Sequence, residues 1–476
     1  MSRQKGKAIY WVLGVCLWGL LGSVWAGKSD VAEKPNILFI MVDDLGKEWM
    51  PCYGAEGIET PHIDALARGG MRFSNAYSMP KCTPSRTTLL TGKYPFRTGW
   101  VNHWDVPRWG VGYFDWRKND SFPRRLKGAG YATCAAGKWQ INDFRLEPLA
   151  MEKHGFDAWC MWTGYEAGNE KSASRYWDPY IHTREGSRVY EGQFGPDVFT
   201  DFIIDFMKKH RDEPMCIYYP MVLVHSPVVC PPGETKAKTG LEKHKAMVRY
   251  VDLLVGRLVE AVDQLGIRDR TFIVFTTDNG TGGKMTGMLK GRSVKGGKGE
   301  MTENGICEPF IVNAPGRVPS NSWSDALIDF SDLFPTFLDW AGVPLPAEKT
   351  WDGISFAPVA AGGRREKPRA WILAMGHGVA SVDSDGLRGK VSFCGRVLRD
   401  KRFKVWISED RQITDLYDLK NDPEEQVNLV DSQNPDCLAA LKKFNAILAT
   451  FPEKDARPAY TPRKPNVWDR KEKKHR

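Results

Sequence analysis

Asn36-Ile37-Leu38-Phe39-Ile40-Met41-Val42-Asp43-Asp44 is an unbroken apolar run that stops on two carboxylates. A strand without polar alternation has both faces buried, which places it inside a sheet covered by helices above and below. Three further runs share the pattern. Tyr131 to Ala136 ends at Gly137-Lys138, Cys216 to Val224 at His225-Ser226-Pro227, and Thr271 to Thr277 at Asp278-Asn279-Gly280. Helical patterns alternate with these runs. One starts at Thr60-Pro61 and stops at Gly69-Gly70, and a second covers Asp197 to His210. The third, Leu241 to Leu265, carries Met247, Val248, Val251, Leu254, Val255, Leu258 and Val262 at helical spacing. The alternation predicts an α/β layered domain with a largely parallel sheet. Chemistry in such sheets gathers beyond the carboxyl ends of the strands, so all four polar clusters are expected on one edge.

Toward the C-terminus the texture changes. Ala370 to Met375, Val391 to Leu398 and Arg402 to Ile407 read as short strands joined by turns, and Leu438 to Phe451 as a helix. That predicts a smaller antiparallel sheet with one helix. The expected organisation is a signal at 1–26, a catalytic domain at 34–370, a smaller domain at 371–456 and a basic tail at 457–476. In the signal, Arg3, Lys5 and Lys7 form the basic start, Ala8 to Leu21 the apolar stretch and Val24-Trp25-Ala26 the cleavage site. An uncleaved membrane anchor is the competing reading. The apolar run is short for a span and is interrupted by Gly14, Gly19 and Gly22, which favours cleavage and export, to a periplasm or the medium, with no stable anchor left behind.

The formal net charge is +9, of which the signal supplies +3 and the tail +6, so the body between them is near neutral. The basic balance therefore gives no ground for nucleic acid binding by the folded body, and the tail reads as a solvated end. At 42% hydrophobic and 26% charged, the composition is that of a globular protein. Ten cysteines are present. Export would permit disulfides, but no CxxC or zinc spacing occurs and pairing cannot be deduced.

Cys82-Thr83-Pro84-Ser85-Arg86 carries the chemistry. Pro84 suits the first turn of a short helix, and Gly92 closes it after Thr87 to Thr91. The free N–H groups and dipole at the helix start favour an anion beside Cys82, and Arg86 adds a permanent cation one turn in. Cys82 reads as a nucleophile in an anion site, against the plainer alternative of a buried structural thiol. Asp43, Asp44, Asp278 and Asn279 offer hard oxygen donors only, a set that selects Ca²⁺ or Mg²⁺ over zinc. Lys138, His225 and Lys298 are candidate partners of the anion. Lys298 lies in Lys295-Gly296-Gly297-Lys298-Gly299, a stretch in which backbone can approach a ligand closely.

Cys82-Thr83-Pro84-Ser85-Arg86, with Thr91-Gly92-Lys93-Tyr94-Pro95 behind it, resembles the signature of the type I sulfatases. Pro35-Asn36-Ile37-Leu38 leading to Asp43-Asp44, Ala136-Gly137-Lys138-Trp139, Thr277-Asp278-Asn279-Gly280, Gly297-Lys298-Gly299 through Glu303-Asn304-Gly305, and Leu416-Tyr417-Asp418-Leu419 through Asn428-Leu429 resemble later family blocks, in family order. The resemblance implies an alkaline-phosphatase-like fold, with a large α/β sandwich and a smaller C-terminal sheet. It implies that Cys82 is oxidised to formylglycine by a dedicated maturation enzyme. It implies a cation, calcium before magnesium, on Asp43, Asp44, Asp278 and Asn279. Arg86 would steady the modified residue, and Lys138, His225 and Lys298 would grip the sulfate. One hydroxyl of the hydrated aldehyde would then attack sulfur and the second expel sulfate, with His225 the candidate acid for the leaving oxygen. Two departures stand out. Gln140 occupies the place of the usual histidine two residues after the signature lysine, and it cannot act as a base near neutral pH. Glu303-Asn304-Gly305 replaces the more usual Glu-Gly-Gly.

Eighteen tryptophans are present, and Trp100, Trp104, Trp109 and Trp116, with Tyr113 and Phe114, follow the nucleophile segment closely. Aromatic faces beside an anion site suit a sugar ring, although core packing explains any one of them equally well. With export, they predict an exported sulfatase acting on sulfated carbohydrate. The rival readings are a phosphonate or phosphate ester hydrolase of the same superfamily, and a catalytically silent sulfated-glycan-binding protein, to which Gln140 alone points.

Overall fold

The computed structural model describes Met1 and residues 34–102, 114–166, 168–347, 351–376 and 392–458, together with the backbone of 380–383 and 386–389. All but Met1 of the expected signal at 1–26 and all but the first two residues of the tail lie outside these residues, as do Trp104, Trp109 and Tyr113. The described residues from Lys34 onward form one compact unit.

Ten strands make the large sheet: β1 (Asn36–Val42), β2 (Met71–Phe73), β3 (Ala132–Lys138), β4 (Ala158–Trp162), β5 (Tyr180–Thr183), β6 (Gly186–Val189), β7 (Met215–Pro220), β8 (Thr271–Thr277), β9 (Phe310–Asn313) and β10 (Ser322–Ser324). Their order is β10-β2-β9-β8-β1-β7-β3-β4-β5-β6. The five central strands, β8-β1-β7-β3-β4, are parallel throughout. Antiparallel pairings enter toward both edges: β9 and β5 run against the central strands, and β2 and β6 run against β9 and β5 in turn.

Every residue of β1 is buried, as its sequence requires. Ile37, Phe39 and Met41 face one apolar layer; Leu38, Ile40 and Val42 face the other. The first layer includes Leu89 and Leu90 of α2 (Cys82–Thr91), Leu126 of α3 (Phe122–Gly128) and Phe337 of α6 (Leu333–Trp340). The second takes Ile63 from α1 (Pro61–Arg68), Ile203 from α4 (Gly195–Lys209) and the Met247-to-Val262 stripe of α5 (Gly240–Gln264). A four-stranded antiparallel sheet follows, β11 (Ile372–Met375), β12 (Arg396–Arg399), β13 (Phe403–Ile407) and β14 (Ile413–Asp418), with α7 (Pro435–Leu448) against it.

The third apolar run behaves differently from its sequence pattern. β7 stops at Pro220, and Met221 to Val224 continue outside the strand. Proline cannot donate to the ladder, so the chain leaves the sheet there. It stays pinned to β1, because the Met221 N–H donates to the Met41 carbonyl at 2.8 Å. The nine described cysteines are free thiols.

Candidate active site

The carboxyl ends of the central strands are tied to one another before any side chain is considered. The Asp43 N–H donates to the Leu223 carbonyl (2.7 Å), Val224 donates back to the Asp43 carbonyl (2.8 Å), and Asp278 donates to the Val42 carbonyl (2.9 Å). Asp43-Asp44, the segment before His225, and Asp278-Asn279 are thereby brought to one edge of the sheet. Lys138 arrives at the same edge as the last residue of β3. Its neighbour Gly137 is required there: φ is +118°, and a β-carbon would lie 2.0 Å from the Pro220 carbonyl oxygen.

Cys82 begins α2, and every residue of that helix is buried. Gly92 ends it in the left-handed region at φ 68°, as the sequence predicts. Cys82 Sγ lies 3.4 Å from Asp43 Oδ1 and 3.8 Å from Asp44 Oδ1. Arg86, one turn on, donates to Asp278 Oδ2 at 2.7 Å and to the Lys138 carbonyl at 2.9 Å. Lys138 Nζ is 2.6 Å from Asp43 Oδ2, and Lys298 Nζ is 2.6 Å from Asp44 Oδ1. His225 Nε2 stands 3.7 Å from Asp44 Oδ2. Asn279 Nδ2 donates to Asp44 Oδ1 at 2.8 Å. The structure thus brings all nine residues singled out in the sequence into one cluster, buried except for the partly exposed His225 and Lys298. Ligand atoms of Asp43, Asp44, Cys82 and His225 lie within 4.8 Å of one another.

The electrostatics follow from that crowding. Burial pushes the Asp43 carboxyl up, but Lys138, His225, Arg86 and Lys298 together hold it well below its usual range. Asp278 goes the other way, to about 6, through burial and then the Asp43 charge. Burial, then Asp278 and Asp43, push the Cys82 thiol well above its usual range. Burial and Lys138 depress His225 to about 4.

The glycines around Lys298 serve the chain itself. A β-carbon on Gly296 would lie 2.5 Å from the Thr281 carbonyl oxygen, and one on Gly297 would lie 2.7 Å from the Asn304 backbone. Their smallness lets the loop nest against the segment after Asp278-Asn279 and carries Lys298 to Asp44. Trp100 and Phe114, offered by the sequence as sugar platforms, instead pack edge to face in the core at 5.4 Å, 1% and 0% exposed. Trp116 is only partly buried, with Arg117 and Arg124 against its ring. Arg175 carries no sequence signal of its own. It lies in a loop far along the chain, and its Nη2 sits 2.9 Å from His225 Nδ1.

Comparison with known proteins agrees with this geometry. The sulfatase family model matches residues 35–343, and the model for the C-terminal region of N-sulphoglucosamine sulphohydrolase matches 297–448. N-acetylgalactosamine-6-sulfatase of Sus scrofa is 31% identical over 377 residues, 73% of this chain and 70% of that protein. Human arylsulfatase A is 28% identical over 484 residues, 90% of each chain. The crystal structure of Ps i-CgsB in complex with k-i-k-neocarrahexaose superposes with a TM-score of 0.73 at 24% identity, covering 90% of this chain and 95% of that one, a likeness of fold. The chain belongs to the sulfatase family, in the alkaline-phosphatase-like superfamily, and is a sulfuric ester hydrolase.

Proposed function

We propose that this sulfatase is an exported enzyme that removes sulfate from sulfated carbohydrates, with position 82 converted to formylglycine by a maturation enzyme. The observation that carries the reading is the packing of Asp43 and Asp44 against Cys82, with Asp278 held beside them by Arg86. The carbohydrate part is supported by the relatives, one named for an N-acetylgalactosamine sulfate and one solved with a carrageenan-type oligosaccharide.

The donor set fits a hard divalent cation, calcium in preference to magnesium, on Asp43, Asp44, Asp278 and Asn279. Asn279 Oδ1 is buried with no hydrogen-bond partner among the described residues, an orphaned lone pair of the kind a cation takes up. When bound, the ion would offset the repulsion of the three carboxylates and polarise oxygens at the reacting centre. A hydrated aldehyde at position 82 would supply two hydroxyls on one carbon, one to attack sulfur and one to expel sulfate.

The remaining work belongs to the chain. Lys138 and Lys298 are held within the cluster by Asp43 and Asp44, placed to balance charge on the sulfuryl oxygens. His225 Nδ1 lies 2.9 Å from Arg175 Nη2 and 2.7 Å from the Ser226 carbonyl oxygen, contacts that fix the ring's orientation. Nε2 is the nitrogen facing the site, set to hydrogen-bond the leaving oxygen as charge builds on it. Gln140 can hydrogen-bond but not accept a proton, so the expulsion step draws on another base.

Sulfate release from a panel of sulfated mono- and oligosaccharides, alongside matched aryl sulfate, phosphate and phosphonate esters, tests this reading. Mass spectrometry of the Cys82 peptide from the native host belongs to the same experiment. Turnover confined to small aryl esters would reject the carbohydrate substrate, faster phosphonate turnover the sulfate preference, and an unconverted cysteine the nucleophile.

A further inference from the structure

A second region of this molecule is built for anions, and it is not the active site. A cleft of about 770 Å³ opens between the loop before α3, α3 itself and the turn after α6. Its charged lining is Lys93, Arg117, Lys118, Arg124 and Arg125 against a single carboxylate, Asp120. Another basic hollow of about 350 Å³ shares Lys93 and adds Arg97 and Lys454. The body of the chain is near neutral once its two termini are set aside, so this is a local segregation of charge rather than a share of an overall excess.

The internal pairing leaves cations over. Arg117 pairs with Asp115 at 3.0 Å, while Arg125 and, at 3.9 Å, Arg124 share Asp120. Among the described residues Lys93 and Lys118 form no ion pair. Burial depresses Lys93 and Arg124, while nearby Asp120, and for Lys93 also Asp352, pull the other way. Five cations thus face the cleft with one carboxylate among them, and two of the five, without an acidic partner among the described residues, are left for a bound anion to take. The half-buried ring of Trp116 sits beside the cleft.

The location separates this feature from catalysis. Cys82 and Lys93 lie at opposite ends of α2, a ten-residue helix about 15 Å long. α3 ends at Gly128 just before β3 enters the sheet, and β3 delivers Lys138 to the active site only at its far end. The cleft is thus at the amino ends of the parallel strands and the active site at their carboxyl ends. A small ester cannot touch both; a polymer can.

We propose that this cleft is an exosite that binds a chain of sulfated polysaccharide through its sulfate groups and keeps the polymer close to the active site. The inference rests on the reading that the substrate is a sulfated carbohydrate. Cations spaced along a cleft recognise a linear polyanion by releasing its condensed counterions, so binding weakens steeply with salt. Tethering at one site raises the effective concentration at the other.

The test uses the full chain and chondroitin 6-sulfate as probe. In the triple variant Lys93→Gln/Lys118→Gln/Arg125→Gln, affinity is expected to fall about 10-fold or more at low salt, with a shallower dependence on NaCl. Lys118→Glu, at an exposed position, should alone weaken binding measurably without changing the melting temperature. Turnover of a small aryl sulfate should stay at the wild-type level in both variants, while KM on sulfated polysaccharide rises. Unchanged affinity and KM in the variants would overturn the exosite, as would tighter binding of single-stranded DNA of equal charge. If no sulfated carbohydrate is hydrolysed yet the probe still binds through the cleft, the substrate reading fails and the exosite stands. If the polymer is hydrolysed with the same KM by the variants, the exosite alone fails.

Discussion

Asp44 and Gln140 both hold left-handed backbone, at φ 64° and 66°. A non-glycine residue there costs about 1–2 kcal/mol, and such strain collects at functional sites because the surroundings over-determine it. Asn, Asp and His are the side chains that best tolerate this conformation. Gln140→His is therefore expected to fold normally and to keep at least wild-type turnover; a large loss in a steady-state assay would show that glutamine has a role of its own. Cys82 is fully buried in a helix that is itself entirely buried. Cys82→Ala should leave the melting temperature nearly unchanged and cut turnover by at least about 10³-fold. Near-normal activity would remove position 82 from the chemistry. Exhaustive chelation should abolish activity and added Ca²⁺ should restore it, because the proposed donors are three crowded carboxylates and the buried, unpartnered Asn279 Oδ1.

At the scale of elements, the decisive contacts are between backbones that sequence patterns do not reveal. β3 passes β7 so closely at Gly137 that Gly137→Ala would force its new methyl against the Pro220 carbonyl at a φ that alanine resists. Overpacking and backbone strain together predict a loss of about 2–4 kcal/mol in urea denaturation, with activity falling because Lys138 is displaced. An unchanged midpoint would mean that the strands separate freely there. Strands β1 and β8 and helix α5 were legible because long apolar runs and a long amphipathic stripe dominate their local sequence. Strands β2, β9 and β10 were not, since three or four residues cannot establish a period and β2, the partner of both the others, lies far back in the chain.

For the molecule as a whole, two buried histidines are expected to weaken the fold in acid. His154, stacked near Phe114 and Trp139, is driven by burial to about 3, and burial takes His244 to about 4. Unfolded, each titrates near about 6.5. Because the folded values lie below the unfolded one, the unfolded chain binds protons first as pH falls. Each histidine's contribution is fully present above about 6.5 and is lost progressively toward the folded value, with a slope of up to about 1.4 kcal/mol per pH unit. Denaturation midpoints should therefore fall between pH 6.5 and 4, and His154→Phe should flatten that fall. An equal slope in the variant would remove His154 as a cause. The two charge-bearing regions, at opposite ends of the parallel strands, emerge only at this scale.

Sequence alone determined the layered α/β class, the sheet edge where the polar strand ends meet and the nine residues gathered there. Each rests on local order: an apolar run that ends in a carboxylate, a proline and a glycine that bound a short helix, and motif blocks in a recognisable succession. Tertiary structure alone decided that Trp100 and Phe114 are core, that the glycines near Lys298 make room for neighbouring backbone, that Arg175 orients His225, and that scattered cations from Lys93 to Arg125 line one cleft. The reason is range. Apolar periodicity and turn chemistry act between residues a few positions apart, whereas a hydrogen bond from Arg175 to His225 spans 50 positions and exists only once the sheet has brought them together.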